Sequence, residues 1–150
     1  MDNKLFVVLL IMLSSFQNIF AQDDGTTMVP IMEKTQSLVN YIENECNQEI
    51  VRIEMDILAS TKTTFRNLQE GYKYQVIAYG DFRFKDIDVS VSRWNGNEWV
   101  VMNKDTDDSD MAMVTIIPTS TSDYKIEITA YKFNEGYKAG DYGLIVCHEK

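Results

Sequence analysis

The sequence predicts a mainly β fold: an antiparallel β-sandwich of jelly-roll type, with seven or eight strands and one amphipathic helix ahead of them. Three observations predict it. Apolar residues alternate with polar ones at a period of two from Glu49 onward, Gly, Pro and Asn punctuate that stretch into short runs, and helical spacing occurs once, before it.

The chain opens with Lys4 ahead of an apolar run, Leu5 to Leu13, and a more polar stretch ending at Ala21. That run is about nine residues, well short of the roughly 20 that span a bilayer. The expectation is a removable secretion signal over residues 1–21, with no membrane insertion after its removal and a secreted or periplasmic location. Residues 22–30 read as a linker, and 31–150 as one domain: a helix over 31–47 and a sandwich over 49–147. Pro30 stands where a helix can start. Ile31, Thr35, Leu38, Val39, Ile42 and Cys46 then share one helical face, which is expected to cover a sheet edge or an open end of the sandwich.

The strands follow in order. Val51, Ile53, Met55 and Ile57 alternate with Arg52, Glu54 and Asp56. A Thr-rich stretch leads to Gly71, after which Tyr72, Tyr74, Val76 and Ala78 share a face. Ile87, Val89 and Val91 alternate with Asp86, Asp88 and Ser90, and Asn95-Gly96 marks a hairpin whose return strand begins at Trp99. Met111 to Ile117, Tyr124 to Ala130 and Gly140 to Cys147 complete the series, the last with Tyr142, Leu144 and Val146 on one face.

Composition narrows the function. A net charge of −9 repels nucleic acid and anionic membranes. His148 is the one histidine, no Ser-His-Asp set can be placed, and neither a zinc spacing nor a Gly-rich phosphate loop is present, so no catalytic residue is assigned and the chain is not expected to be an enzyme. A small secreted hydrolase working through two of the many carboxylates is the weakest alternative. Cys46 and Cys147 allow one pairing, and in an oxidising compartment a bridge between them is expected. It would close a loop of about 100 residues, contributing roughly 4–5 kcal/mol in the chain-entropy model.

Two acidic features and a set of rings are the candidate sites. Asp86 and Asp88 alternate on one strand face about 7 Å apart, with Asp81 just upstream, and together can hold calcium through hard oxygen ligands. The Lys104–Asp110 loop is equally acidic but lacks the Gly and Glu of an EF-hand. Among the aromatics, Trp94 beside the hairpin turn, and Phe82 and Phe84 before Asp86, are expected to be exposed and able to stack on sugars.

The last eighty or so residues, 68–146, resemble the bacterial pre-peptidase C-terminal domain. LQEGYKYQVIAYGD resembles that family's Leu-x-x-Gly-x-x-Tyr strand, and DIDVSV its Asp-hydrophobic-Asp strand. TSDYKIEITAY followed by GDYGLIV resembles its closing pair, with Asp123 where a small residue is usual. The resemblance implies a calcium-associated sandwich accessory to a secreted peptidase, with the metal or structural role falling on Asp86 and Asp88. The helix and the cysteines lie outside it. Together these readings make the chain a non-enzymatic binding or accessory module, its partner an unknown protein or glycan; a carbohydrate-binding module using the exposed aromatics is the alternative.

Overall fold

The computed structural model describes residues 27–149. The expected secretion signal, 1–21, lies outside the described residues. Helix α1, Val29–Asn40, starts earlier than the sequence suggests, because Pro30 fits the first turn and lets the helix begin on the assigned linker. It runs into one π turn, Tyr41–Glu45, and ends there. Asn47, at φ 51°, then turns the chain into the first strand, a left-handed conformation that Asn tolerates better than most residues.

Eight strands follow: β1 Gln48–Leu58, β2 Thr61–Leu68, β3 Tyr74–Gly80, β4 Phe84–Trp94, β5 Trp99–Asp105, β6 Met111–Ile116, β7 Ser122–Phe133 and β8 Gly140–Glu149. They form two antiparallel four-stranded sheets, ordered β1-β8-β3-β6 and β2-β7-β4-β5. The mainly β sandwich with one helix ahead of it is the architecture the alternation predicts. Between the sheets lies the main core, including Leu68, Val76, Ile87, Val91, Ile126, Tyr142 and Leu144.

The helix covers neither an edge nor an open end. β3 and β8 are inner strands whose outward positions carry Ile77, Tyr79, Ile145 and Cys147, and Ile31 and Ile42 pack on them as a second core. Thr35 fixes the helix there: its hydroxyl meets the buried Tyr79 hydroxyl at 2.8 Å. Lys34 adds a bond to the Gly80 carbonyl at 2.8 Å and an ion pair with Asp110 at 2.7 Å. Among the described residues no helix is long and apolar enough to cross a membrane.

Two strands depart from the sequence reading. In β1 the register slips between Ile50 and Arg52, so Val51 packs on the main core while the later alternation is inverted. Ile53, Met55 and Ile57 are exposed as a result. Arg52 instead bonds Glu54 at 2.5 Å and the Thr64 hydroxyl at 2.8 Å, and Glu54 accepts from the Tyr142 hydroxyl at 2.9 Å. β2 lies in the Thr-rich stretch that carried no strand signal, pairing with β7 from Thr61 to Leu68.

Cys46 is exposed and Cys147 buried, and both stand as thiols rather than as the expected bridge. The Cys147 thiol is accommodated as a core group. It donates to Gln48 Oε1 at 3.2 Å, and burial, helped by nearby Cys46, pushes it up to about 11.

Candidate functional site

Strand β4 carries a candidate site at each end. At its start the register with β7 slips on either side of Asp86, and Asp86, on the face opposite the core residues Ile87 and Val89, is only 5% exposed. Asp88 is half-buried two residues on. The acidic loop after β5 folds back over both: the Ile87 amide donates to the Ser109 carbonyl at 2.8 Å, and the Gly80 amide to that of Asp110 at 2.9 Å. The result is a cleft of about 460 Å³ lined by Asp86, Asp88, Thr106, Asp108, Tyr131 and Lys132.

In that cleft Asp86 Oδ1 and Asp88 Oδ1 are both buried and without a hydrogen-bond partner. Desolvation foremost, then the charges of Asp86 and Asp105, holds the Asp88 carboxyl above the usual carboxylate range. Two carboxylates forced together out of water favour whatever positive species relieves them, a proton or a cation. Among the described residues no group of three His, Cys, Asp or Glu converges as a complete metal cage. The chain therefore offers two carboxylates with one buried oxygen each, and Thr106 and Asp108 in the same lining, a donor set of hard oxygens.

The structure does not bring Asp81 to this pair. Its side chain is buried at the β3–β4 turn, where Oδ1 accepts the Arg83 amide at 2.9 Å and Oδ2 accepts the Asp141 amide at 3.1 Å and Arg83 Nε at 2.8 Å. Arg83 also pairs with Asp141 at 2.7 Å. Asp81 is thus spent on a clasp between β3, β4 and β8. Phe84 is corrected as well: it is 2% exposed, seated on Phe133 with ring centroids 4.9 Å apart, because the strand begins at Phe84, two residues before Asp86. Phe82 is exposed, edge-on to Tyr137 at 5.8 Å, and stands apart from Trp94.

At the other end of β4, Trp94 is 48% exposed. Asn95 Oδ1 accepts the amides of Asn97 and Glu98 at 2.9 Å each, and Gly96 supplies the φ of 101° that the turn needs. This closes the hairpin so that Trp94 and Trp99 face each other in register. Their ring centroids lie 5.6 Å apart, and Trp99 continues to Phe65 of β2 at 5.5 Å. Lys125 rests over Trp99, and Trp94 and Trp99 with Ser122 and Asp123 border a shallow apolar cleft of about 540 Å³. The Ser122 hydroxyl there has no partner. Trp99 and Phe65 were not singled out from the sequence. The near-symmetry of Trp-Asn-Gly-Asn-Glu-Trp is a signal for the first, whereas Phe65 sits in β2, whose Thr-rich sequence carries no strand signal.

No protein-family model matches this sequence, and no curated protein matches it. Among solved structures, the chain is similar to the pre-peptidase C-terminal domain of a collagenase from Bacillus anthracis, at a TM-score of 0.49 and 9% identity, over 63% of this chain and 87% of that one. It is also similar to a mitogen from Yersinia pseudotuberculosis, at 0.47 and 12%, over 68% and 86% of the two chains. A third is a periplasmic inhibitor of g-type lysozyme from Aeromonas hydrophila, at 0.44 and 10%, again over 68% and 86%. The domain type whose motifs residues 68–146 resemble is among these folds.

Proposed function

We propose that this chain is an exported, non-enzymatic binding module whose sandwich is stabilised by one calcium ion at Asp86 and Asp88. The observation that carries the reading is the pair of buried, unpartnered carboxylate oxygens in one cleft. Export is supported by the apolar run Leu5 to Leu13, and a non-enzymatic role by the residue inventory. Calcium suits the donors better than zinc, since the lining offers oxygen and neither sulfur nor imidazole.

The test is thermal unfolding in EDTA and in millimolar calcium. An ion at about 100 times its dissociation constant adds roughly 2.7 kcal/mol, a rise of several degrees. Asp86→Asn with Asp88→Asn should abolish the rise while leaving stability in EDTA equal or higher, because it removes the repulsion between the two. A proton competes for the same oxygens. With Asp88 raised above its unfolded value, the folded chain gains protons first as pH falls, so the calcium-dependent rise shrinks with acidification. Absence of any rise at neutral pH would retire the ion.

A specific observation favours a glycan as the ligand of the module. Trp94, Trp99 and Phe65 make one aromatic strip on the surface, its rings tilted by 60° and 49°, an arrangement that offers successive faces to a twisted chain of sugar rings. Tryptophan fluorescence titrated with neutral oligosaccharides should saturate, and Trp94→Ala should weaken binding about tenfold or more. A panel giving no saturable change would count decisively against the strip.

A further inference from the structure

The open end of the sandwich, where β1, β2 and the last residues of β8 meet, holds a separate cavity of about 280 Å³, lined among others by Glu49, Val51, Arg66, Gln69, Tyr72 and His148. That volume is at the lower edge of the roughly 300–1,000 Å³ of small-molecule sites, room for one compact molecule.

Its charged walls are of opposite sign, and neither is neutralised. Arg66 is half-buried, and its guanidinium's one hydrogen bond among the described residues, from Nη2 to the Val51 carbonyl at 3.2 Å, leaves Nε buried without an acceptor. Glu49 has no hydrogen bond or ion pair through its carboxylate among the described residues, although it borders the same cavity as Arg66. A guanidinium and a carboxylate that share a cavity without touching leave a gap that a ligand with both charges can bridge.

Rings form the remaining wall. Tyr72 and Tyr74 hold the His148 ring edge-on, with centroids 4.9 and 5.6 Å away. His148 Nδ1 lies 2.7 Å from the Glu149 carbonyl, which can only accept, so Nδ1 donates there. Tyr72 and Val51 add apolar surface.

Ligand charge decides between classes. An anion gains Arg66 but meets Glu49 and the net charge of −9; a cation gains Glu49 but meets Arg66. We propose that this cavity binds a small aliphatic α-amino acid, its carboxylate on Arg66, its ammonium on Glu49 and its side chain against Tyr72 and Val51. A net-neutral zwitterion uses both charges and is not repelled by the chain as a whole. This site is independent of the calcium cleft and of the aromatic strip.

Calorimetric titration of the chain with alanine, N-acetylalanine and alaninamide tests the proposal. Alanine should bind saturably, and each analogue, lacking one charge, about tenfold or more weakly. Glu49→Gln should erase the preference for alanine over N-acetylalanine, and Arg66→Gln the preference over alaninamide. Glu49 is exposed, so its variant folds and decides the question even if Arg66→Gln proves unstable. Equal binding of all three probes, no saturable binding of alanine, or a preference for alanine over N-acetylalanine that survives Glu49→Gln would each overturn it. Trp94→Ala should leave alanine binding unchanged, which separates this site from the glycan reading.

Discussion

Arg83→Ala should cost about 3–5 kcal/mol, the loss expected when a buried charge network is stripped of one partner. Arg83 joins Asp81, whose side chain is 0% exposed, to Asp141, at 6%. Both carboxylates would be left in place without their counter-ion, and the backbone gives them no escape. The Asp81 amide donates to the Asp141 carbonyl at 3.0 Å, and Asn134 holds the turn through the carbonyls of Phe82 at 2.7 Å and Phe84 at 3.2 Å. Domains of this kind are stable by roughly 5–15 kcal/mol, so the variant should unfold at a much lower urea midpoint with an unchanged slope. Arg83→Lys keeps a charge but loses the planar fork that serves two carboxylates, and should fall between the two. Adding Asp81→Asn and Asp141→Asn to Arg83→Ala should restore part of the loss, since neutral amides can stay buried at lower cost. A loss below about 1 kcal/mol for Arg83→Ala would mean that water screens the clasp as it does a surface pair.

That clasp also shows what the sequence can and cannot disclose. Period-two alternation identifies a strand by itself, which is why β3, β4 and β8 were legible, but it does not say which face is inward when a bulge intervenes. In β1 the slip at Val51 sends Ile53, Met55 and Ile57 outward and Arg52 and Glu54 toward Tyr142, a change visible only once the partner strand is known. β2 escaped notice because Lys62, Thr64 and Arg66 take the positions an apolar alternation would fill. Helix α1 announced its apolar stripe, yet its seat on Ile77, Tyr79 and Ile145 depends on β3 and β8 being inner strands. The same distinction runs through the sites. Asp86 and Asp88 are two residues apart, and local alternation sufficed to bring them to one cleft. Asp81 was read with them because it is near in sequence, whereas its partner on the neighbouring strand β8, Asp141, is sixty residues away. Trp94 was legible from its turn, but the strip it belongs to needs Phe65 from β2.

Gly143→Ala should be nearly as damaging as loss of Arg83, for a purely steric reason. Gly143 lies in β8 opposite Met55 on one side and Tyr79 on the other. The Tyr79 side chain lies so close to it that an added Cβ would fall well inside the contact distance of three of its atoms, two of the ring and the hydroxyl oxygen. Tyr79 cannot yield readily: it is 0% exposed and its hydroxyl is held by Thr35. Overpacking of this kind costs about 1–3 kcal/mol where neighbours can shift and more where they cannot. The expected loss is therefore about 3 kcal/mol or above, read from the urea midpoint. The strain should also appear in the helix, because a displaced Tyr79 withdraws the hydroxyl that anchors Thr35. Amide exchange in α1 should accelerate more than in β4, which lies in the other sheet. Tyr79→Leu in the same chain shortens the ring away from residue 143 and should make Gly143→Ala much milder than it is beside Tyr79, a coupling of roughly 0.5–3 kcal/mol. If Gly143→Ala proves neutral alone, the ring is free to move and the helix is held by Ile31 and Ile42 without it.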